Sequence, residues 1–161
     1  MADVGIDATD FGYVSTLRDQ PKDLVDQTAV RQGGYCYGRG FATSAMTPGN
    51  IVVVDTAAAN SFKTTTSAAA TTAVGYVVAG LGTVMGGQQW DYSSTIASGQ
   101  QILILLKGVV IGVASTSIAI GARVGTSTTA GAVVTTTTQD TAVGRAISTA
   151  TTAGDAIYIL V

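Results

Sequence analysis

From Phe41 to the end of the chain, short apolar runs alternate with turn residues. IVVV at 51–54 ends on Asp55, and GYVVA at 75–79 runs into the glycines of GLGTVMGG. QILILL at 101–106 lies between Gly99 and Gly108, and VVIGV follows at 109–113. IAIGARVGTSTTAGAVVTTTT, TAVGRAIS and GDAIYILV continue in the same manner, with a turn signal about every ten residues. This spacing predicts an all-β fold, a small barrel or sandwich-like domain of short strands. QILILL is too short for a buried helix and reads as a strand covered on both faces. AIYILV is expected to close the barrel, entered by a turn at Gly154 and Asp155 and paired along its length rather than frayed. The Thr-rich stretches at 64–73 and 135–138 read as uncharged strand and loop faces, because β-branched Thr fits a pleated surface. For 56–73 a linker is the alternative.

The first forty residues differ in kind. They hold ten of the eighteen charges: Asp3, Asp7, Asp10, Asp19, Asp23 and Asp26 with Arg18, Lys22, Arg31 and Arg39. This shift divides the chain into an extended N-terminal arm, 1–40, and a β-barrel-like domain, 41–161. The arm shows no sustained hydrophobic period, although PKDLVDQTAV could make two helical turns from Pro21. Its apolar residues Phe11, Tyr13, Leu17, Leu24, Val25, Tyr35 and Tyr37 are spaced like anchors. They suit an arm that orders by lying on a partner, or else a loosely packed terminus.

Composition narrows the chemistry. Hydrophobic residues make up 47% of the 161 residues and charged ones 11%, against about a quarter charged in ordinary soluble proteins. The surface must therefore be uncharged or covered by something. All ten acidic residues are Asp, and the chain has neither Glu nor His. Without His there is no Ser-His-Asp or Cys-His arrangement, and without Glu a catalytic carboxylate pair is not expected, so the chain is not read as an enzyme. One Cys and no His exclude the usual zinc sets, and no Asp-rich calcium loop appears. Cys36 cannot form an internal disulfide and reads as a small buried hydrophobe. The basic residues are scattered singly around a net charge of −2, which argues against nucleic-acid binding. The N-terminus lacks the pattern of a signal peptide, and no run approaches the ~18 apolar residues of a membrane span.

One motif is a decoy. GYVVAGLGTVMGG approaches the dinucleotide fingerprint G-x-G-x-x-G, but its last interval is one residue too long and no amphipathic helix or ribose-binding acid follows. Glycines in a bent strand or hairpin explain it, and no cofactor is expected.

The last sixty residues carry an ordered pattern. QILILLKGVVIGV leads to an I-x-x-G-x-x-V step at Ile118 to Val124, a Gly-x-Val step at Gly131 to Val133, then Gly144-Arg145-Ala146, and Ala153-Gly154-Asp155 before the terminal strand. This resembles the capsid cement, or head decoration, proteins of tailed viruses and phages, a family of small β-barrel-like domains. The resemblance covers roughly residues 41–161, with IVVVD and VGYVVAG where the family places its first strands. It implies a virion structural protein made in the host cytoplasm that binds the outer capsid surface in many copies, often as homotrimers. Its partners would be the major capsid protein and other copies of itself, with neither nucleic acid nor membrane. The chain departs from the family in its sparse charge and long arm. Two other classes fit the residues: a tail, fibre or adhesin β-domain, and a ligand-binding barrel with Trp90 and Tyr92 at its mouth.

Overall fold

A computed structural model describes residues 35–84, 87–92 and 95–161. The chain is all-β over these residues, with one single-turn 3₁₀ helix at Gln139–Thr141. Five strands form a closed ring: β1 (Cys36–Ala42), β2 (Ile51–Val54), β3 (Ser61–Lys63), β4 (Ala73–Val84) and β6 (Gln101–Lys107). Around the ring the order is β2-β3-β1-β6-β4, and β4 pairs back to β2. Only the β1–β3 contact is parallel. β5 (Gly87–Asp91) forms a hairpin with the far end of β4, so the near-fingerprint glycines Gly80 and Gly82 lie within a strand of that hairpin.

Alternation along each strand sends successive side chains to opposite faces. Val52, Val77, Ile102 and Ile104 point into the barrel, where they pack with Ala42, Met46 and Ile96. A five-stranded barrel is narrow enough for side chains to fill it. Their neighbours Ile51 and Tyr76 point outward into a second core with Ala114, Ile118, Val124, Val133, Ile157 and Ile159. Full burial of each Ile stabilises the fold by roughly 2 kcal/mol. In β6, Ile102 to Leu105 are buried on both faces, as the QILILL pattern implies, whereas Leu106 at the end of the run is exposed.

The second core is roofed by a three-stranded antiparallel sheet outside the ring. Its order is β10 (Arg145–Ala146), β11 (Ala156–Leu160), β7 (Val109–Val113). AIYILV therefore does not close the barrel; β11 is the central strand of this sheet, with β7 on one side and β10 on the other. The ring closes through β2 and β4 instead. A two-stranded ladder, β8 (Val124–Thr126) with β9 (Val133–Thr135), packs beside the sheet.

Gly108 joins β6 to β7 at φ +134°, a conformation that side-chain-bearing residues rarely adopt. A Cβ there would also run into the ring of Tyr35. Gly108 exchanges backbone hydrogen bonds with Val161 at 3.2 and 2.8 Å, which pins the apolar C-terminal run. At the other end of β11, Gly154 takes φ +94° and the Asp155 carboxylate accepts hydrogen bonds from the backbone N–H groups of Thr151 and Thr152 at 2.8 and 2.9 Å. The expected turn is thus held by an Asx-type anchor.

The boundary expected between residues 40 and 41 falls inside β1. Gly38 and Gly40 of this strand face Ile104 and Ile102 across the ladder with β6, so the barrel already includes Cys36. Cys36 is half-buried rather than fully buried. The 56–73 stretch contains β3, an integral barrel strand, between its turns.

Candidate functional site

Of the seven residues expected to anchor an arm, Phe11, Tyr13, Leu17, Leu24 and Val25 lie outside the described residues. Tyr35 and Tyr37 lie at the start of β1, with their rings stacked at 6.2 Å between centroids and 10° between planes. On the same outward side of β1, Arg39 holds its guanidinium 4.9 Å from the ring centroid of Trp90. This cation–π contact ties the β4–β5 hairpin to the barrel wall. Burial lowers the Arg39 pKa, while burial and the neighbouring hydroxyls of Tyr35 and Tyr92 raise that of Tyr37.

Tyr37 and the exposed Tyr92 flank a groove of about 360 Å³, lined by Leu105 and Val78 and bounded by Val109 to Ile111 of β7. The groove lies between the barrel wall and the edge of the three-stranded sheet. The barrel interior itself is occupied by the packed side chains of the first core. Trp90 packs beneath Arg39, and Tyr92 opens to the groove.

An apolar sheet surface continues from this groove. The inner face of the three-stranded sheet buries Ile157 and Ile159 completely, whereas its outer face presents Ile111, Tyr158 and Leu160 about half exposed. Register places these residues in rows. Ile111 stands opposite Tyr158, whose carbonyl accepts a hydrogen bond from Ile147 beyond it. Val109 stands opposite Leu160, which faces Arg145. Val113 stands opposite Ala156. All of the apolar members are exposed. Arg145 at the outer corner is the one charged residue in these rows, and its guanidinium donates to the carbonyl of Gly121.

Sequence reasoning missed this surface because an apolar residue in a strand ordinarily reads as core. The available signal was that VVIGV and AIYIL are apolar at both odd and even positions. Such strands need cover on both sides.

Two carboxylates are structurally engaged. Asp55 accepts hydrogen bonds from Thr43 Oγ1 at 2.6 Å, the Ala57 N–H at 3.1 Å and Lys63 Nζ at 3.1 Å, which bring its pKa down to about 2. Asp155 is likewise held at about 2 by the backbone and hydroxyl groups of Thr151 and Thr152. Each secures a turn of the chain. Among the described residues no cluster of three or more metal-ligating side chains occurs, and no helix is long and apolar enough to cross a membrane.

No protein-family model matches the chain, and no curated protein matches it. Among solved structures, the chain is similar to the N base of the head fiber gp8.5 of bacteriophage phi29, over 79% of this chain and 93% of that one, at 13% identity and a TM-score of 0.48.

Proposed function

We propose that this chain is a structural protein of a tailed-virus particle, a decoration protein that sits on the outer capsid surface in many copies and braces contacts between capsomers. The observation that carries the reading is the outer face of the three-stranded sheet, an array of apolar side chains on a protein with very few charges. Such a surface costs little to desolvate and suits broad, dry contact with neighbouring proteins. Repetition over a symmetric lattice converts contacts that are weak singly into strong retention. The ordered turn glycines and apolar strands that resemble the capsid cement family add to this reading. Their partners imply the major capsid protein and further copies of this chain, as a homotrimer on the shell, without a chemical reaction.

The reading is tested by adding purified protein to particles assembled without it. Saturable co-sedimentation, with a raised temperature of capsid rupture, is the expected result. Failure to bind the shell at micromolar concentration would reject it.

A further inference from the structure

We infer that the open edge of β7 is the docking site for the chain's own residues 22–34, which add to it as an extended strand lying between the three-stranded sheet and the barrel wall. The inference goes beyond the proposed function and does not depend on it.

Backbone direction identifies the edge. Gly108 and Val161 donate to each other, so the hydrogen-bonded pairs of the β7–β11 ladder alternate from that point. Val110 and Gly112 turn their N–H and C=O groups toward β11, and Val109 and Ile111 turn theirs the other way. The Ala114 N–H, which donates to the Asp155 carbonyl at 2.9 Å, keeps the same phase. Among the described residues β11 is the one strand that pairs with Val109–Val113, so the backbone groups of Val109 and Ile111 face the groove without a ladder partner. VVIGV carries neither a charge nor a proline, two devices that keep an edge strand from pairing.

The groove has the form of a strand site. Val109 to Ile111 make one side, and Tyr37, Val78 and Leu105 of the barrel offer an apolar wall for alternate side chains of an added strand. Gly49 closes the Ile111 end, since a Cβ on it would stand 2.7 Å from the Ile111 carbonyl oxygen. The other end is where the N-terminal segment joins the barrel. Tyr35 stacks on Tyr37, and its ring lies against Gly108, the residue before Val109.

Residues 1–34 lie outside the described residues, and their tether and sequence select 22–34 as the occupant. A segment joined at Tyr35 meets the groove at an effective concentration on the order of millimolar, ahead of a separate chain at micromolar concentration. Residues 22–34 contain no proline to interrupt a ladder. In an extended stretch Thr28 and Val30 share the face toward the wall, while Ala29 and Arg31 share the face toward solvent. Three such residues, spanning about 10 Å, match the length of Val109–Ile111.

The test is amide hydrogen exchange of the isotope-labelled full chain, followed residue by residue in nuclear magnetic resonance spectra. The Val109 and Ile111 amides are expected to exchange at least about a hundredfold more slowly than those of an unstructured chain, at every protein concentration. In a Thr28→Pro, Val30→Pro double variant they should speed up at least about tenfold, because proline removes ladder donors. The Val110 and Gly112 amides, bonded to β11, should stay protected in that variant and report that the fold is intact. Unprotected Val109 and Ile111 amides in the wild-type chain would overturn the inference. So would protection that the double variant leaves unchanged, or protection that fades on dilution, which would assign the edge to a second copy. Helical carbon chemical shifts over 21–30 would overturn it as well, since Thr28 and Val30 would then not be extended. Failure to bind capsids would reject the functional reading and leave this result untouched.

Discussion

The barrel and the three-stranded sheet are built from strands of the same composition, yet they dispose of apolar surface differently. In β6 of the barrel, Ile102 and Ile104 fill the interior while Leu103 and Leu105 are buried against the outer wall. In β11 of the sheet, Ile157 and Ile159 fill the second core while Tyr158 and Leu160 remain about half exposed. The barrel closes its hydrogen-bond ladder on itself and its own chain covers most of its apolar wall, with Phe41, Val54 and Leu106 left exposed near the strand ends. The sheet has a covered face and an open one. Where both alternating sets of a strand are apolar, the element needs two covers, and here the described chain supplies only one.

The sharpest way to break this comparison is to put a charge at adjacent positions of β11. Ile159→Asp buries a carboxylate in the second core and should destabilise the protein by about 4 kcal/mol or more, abolishing soluble folded protein. Tyr158→Asp, one residue earlier, should change monomer stability by about 1 kcal/mol or less, measured by urea unfolding at low protein concentration, where a multimer would contribute little. Equal losses at both positions would mean that the two faces are not different.

Ile104→Ala should cost roughly 3 kcal/mol, because the rigid ring of strands cannot collapse into the cavity left inside it. The same urea titration measures it. A loss well below that of an ordinary core truncation would show that the barrel interior is loosely packed.

Acid provides a subtler comparison, since Asp55 secures the barrel and Asp155 the turn into β11. Both carboxylates titrate lower in the folded chain, at about 2, than the unfolded value near 4. Their contributions are therefore fully present above about pH 4 and are lost as the pH falls through about 2. The melting temperature should drop over that window, and Asp55→Asn or Asp155→Asn should each flatten the drop while lowering the melting temperature at pH 7. An unchanged pH profile in both variants would show that these hydrogen bonds do not contribute.

The smallest expected effect is at the junction of the two units. Tyr76 is fully buried in the second core and its hydroxyl has no hydrogen-bond partner among the described residues. Desolvation pushes its pKa well above the ordinary tyrosine value. Tyr76→Phe should be neutral or stabilising by up to about 1 kcal/mol in thermal unfolding, since it removes an unsatisfied polar group without changing the ring.

The strands were legible because apolar runs and turn residues alternate so regularly, and QILILL announced its double burial as a continuous apolar run, too short for a buried helix, between Gly99 and Gly108. Which strands pair was not legible: a period of two tells a strand it has faces but not which ladder it joins, so AIYILV was assigned to the barrel instead of the sheet above it. The charge shift near residue 40 misplaced the boundary because β1 carries Arg39 on its outward face, where Trp90 accommodates the guanidinium. Tyr35 and Tyr37 stood out in the sequence as aromatics in a polar stretch, and Tyr37, with Tyr35 stacked on it, flanks the groove. Ile111, Ile147 and Tyr158 did not, because their exposure depends on a sheet with only one face against a core.

The most direct test of the account is the number of copies of this chain in purified particles of the virus that encodes it, measured by quantitative mass spectrometry against the major capsid protein. Abundance approaching that of the capsid protein is the predicted result. A few copies per hundred capsid subunits would assign the chain to a tail or fibre instead, and its absence from the particle would contradict the structural role altogether.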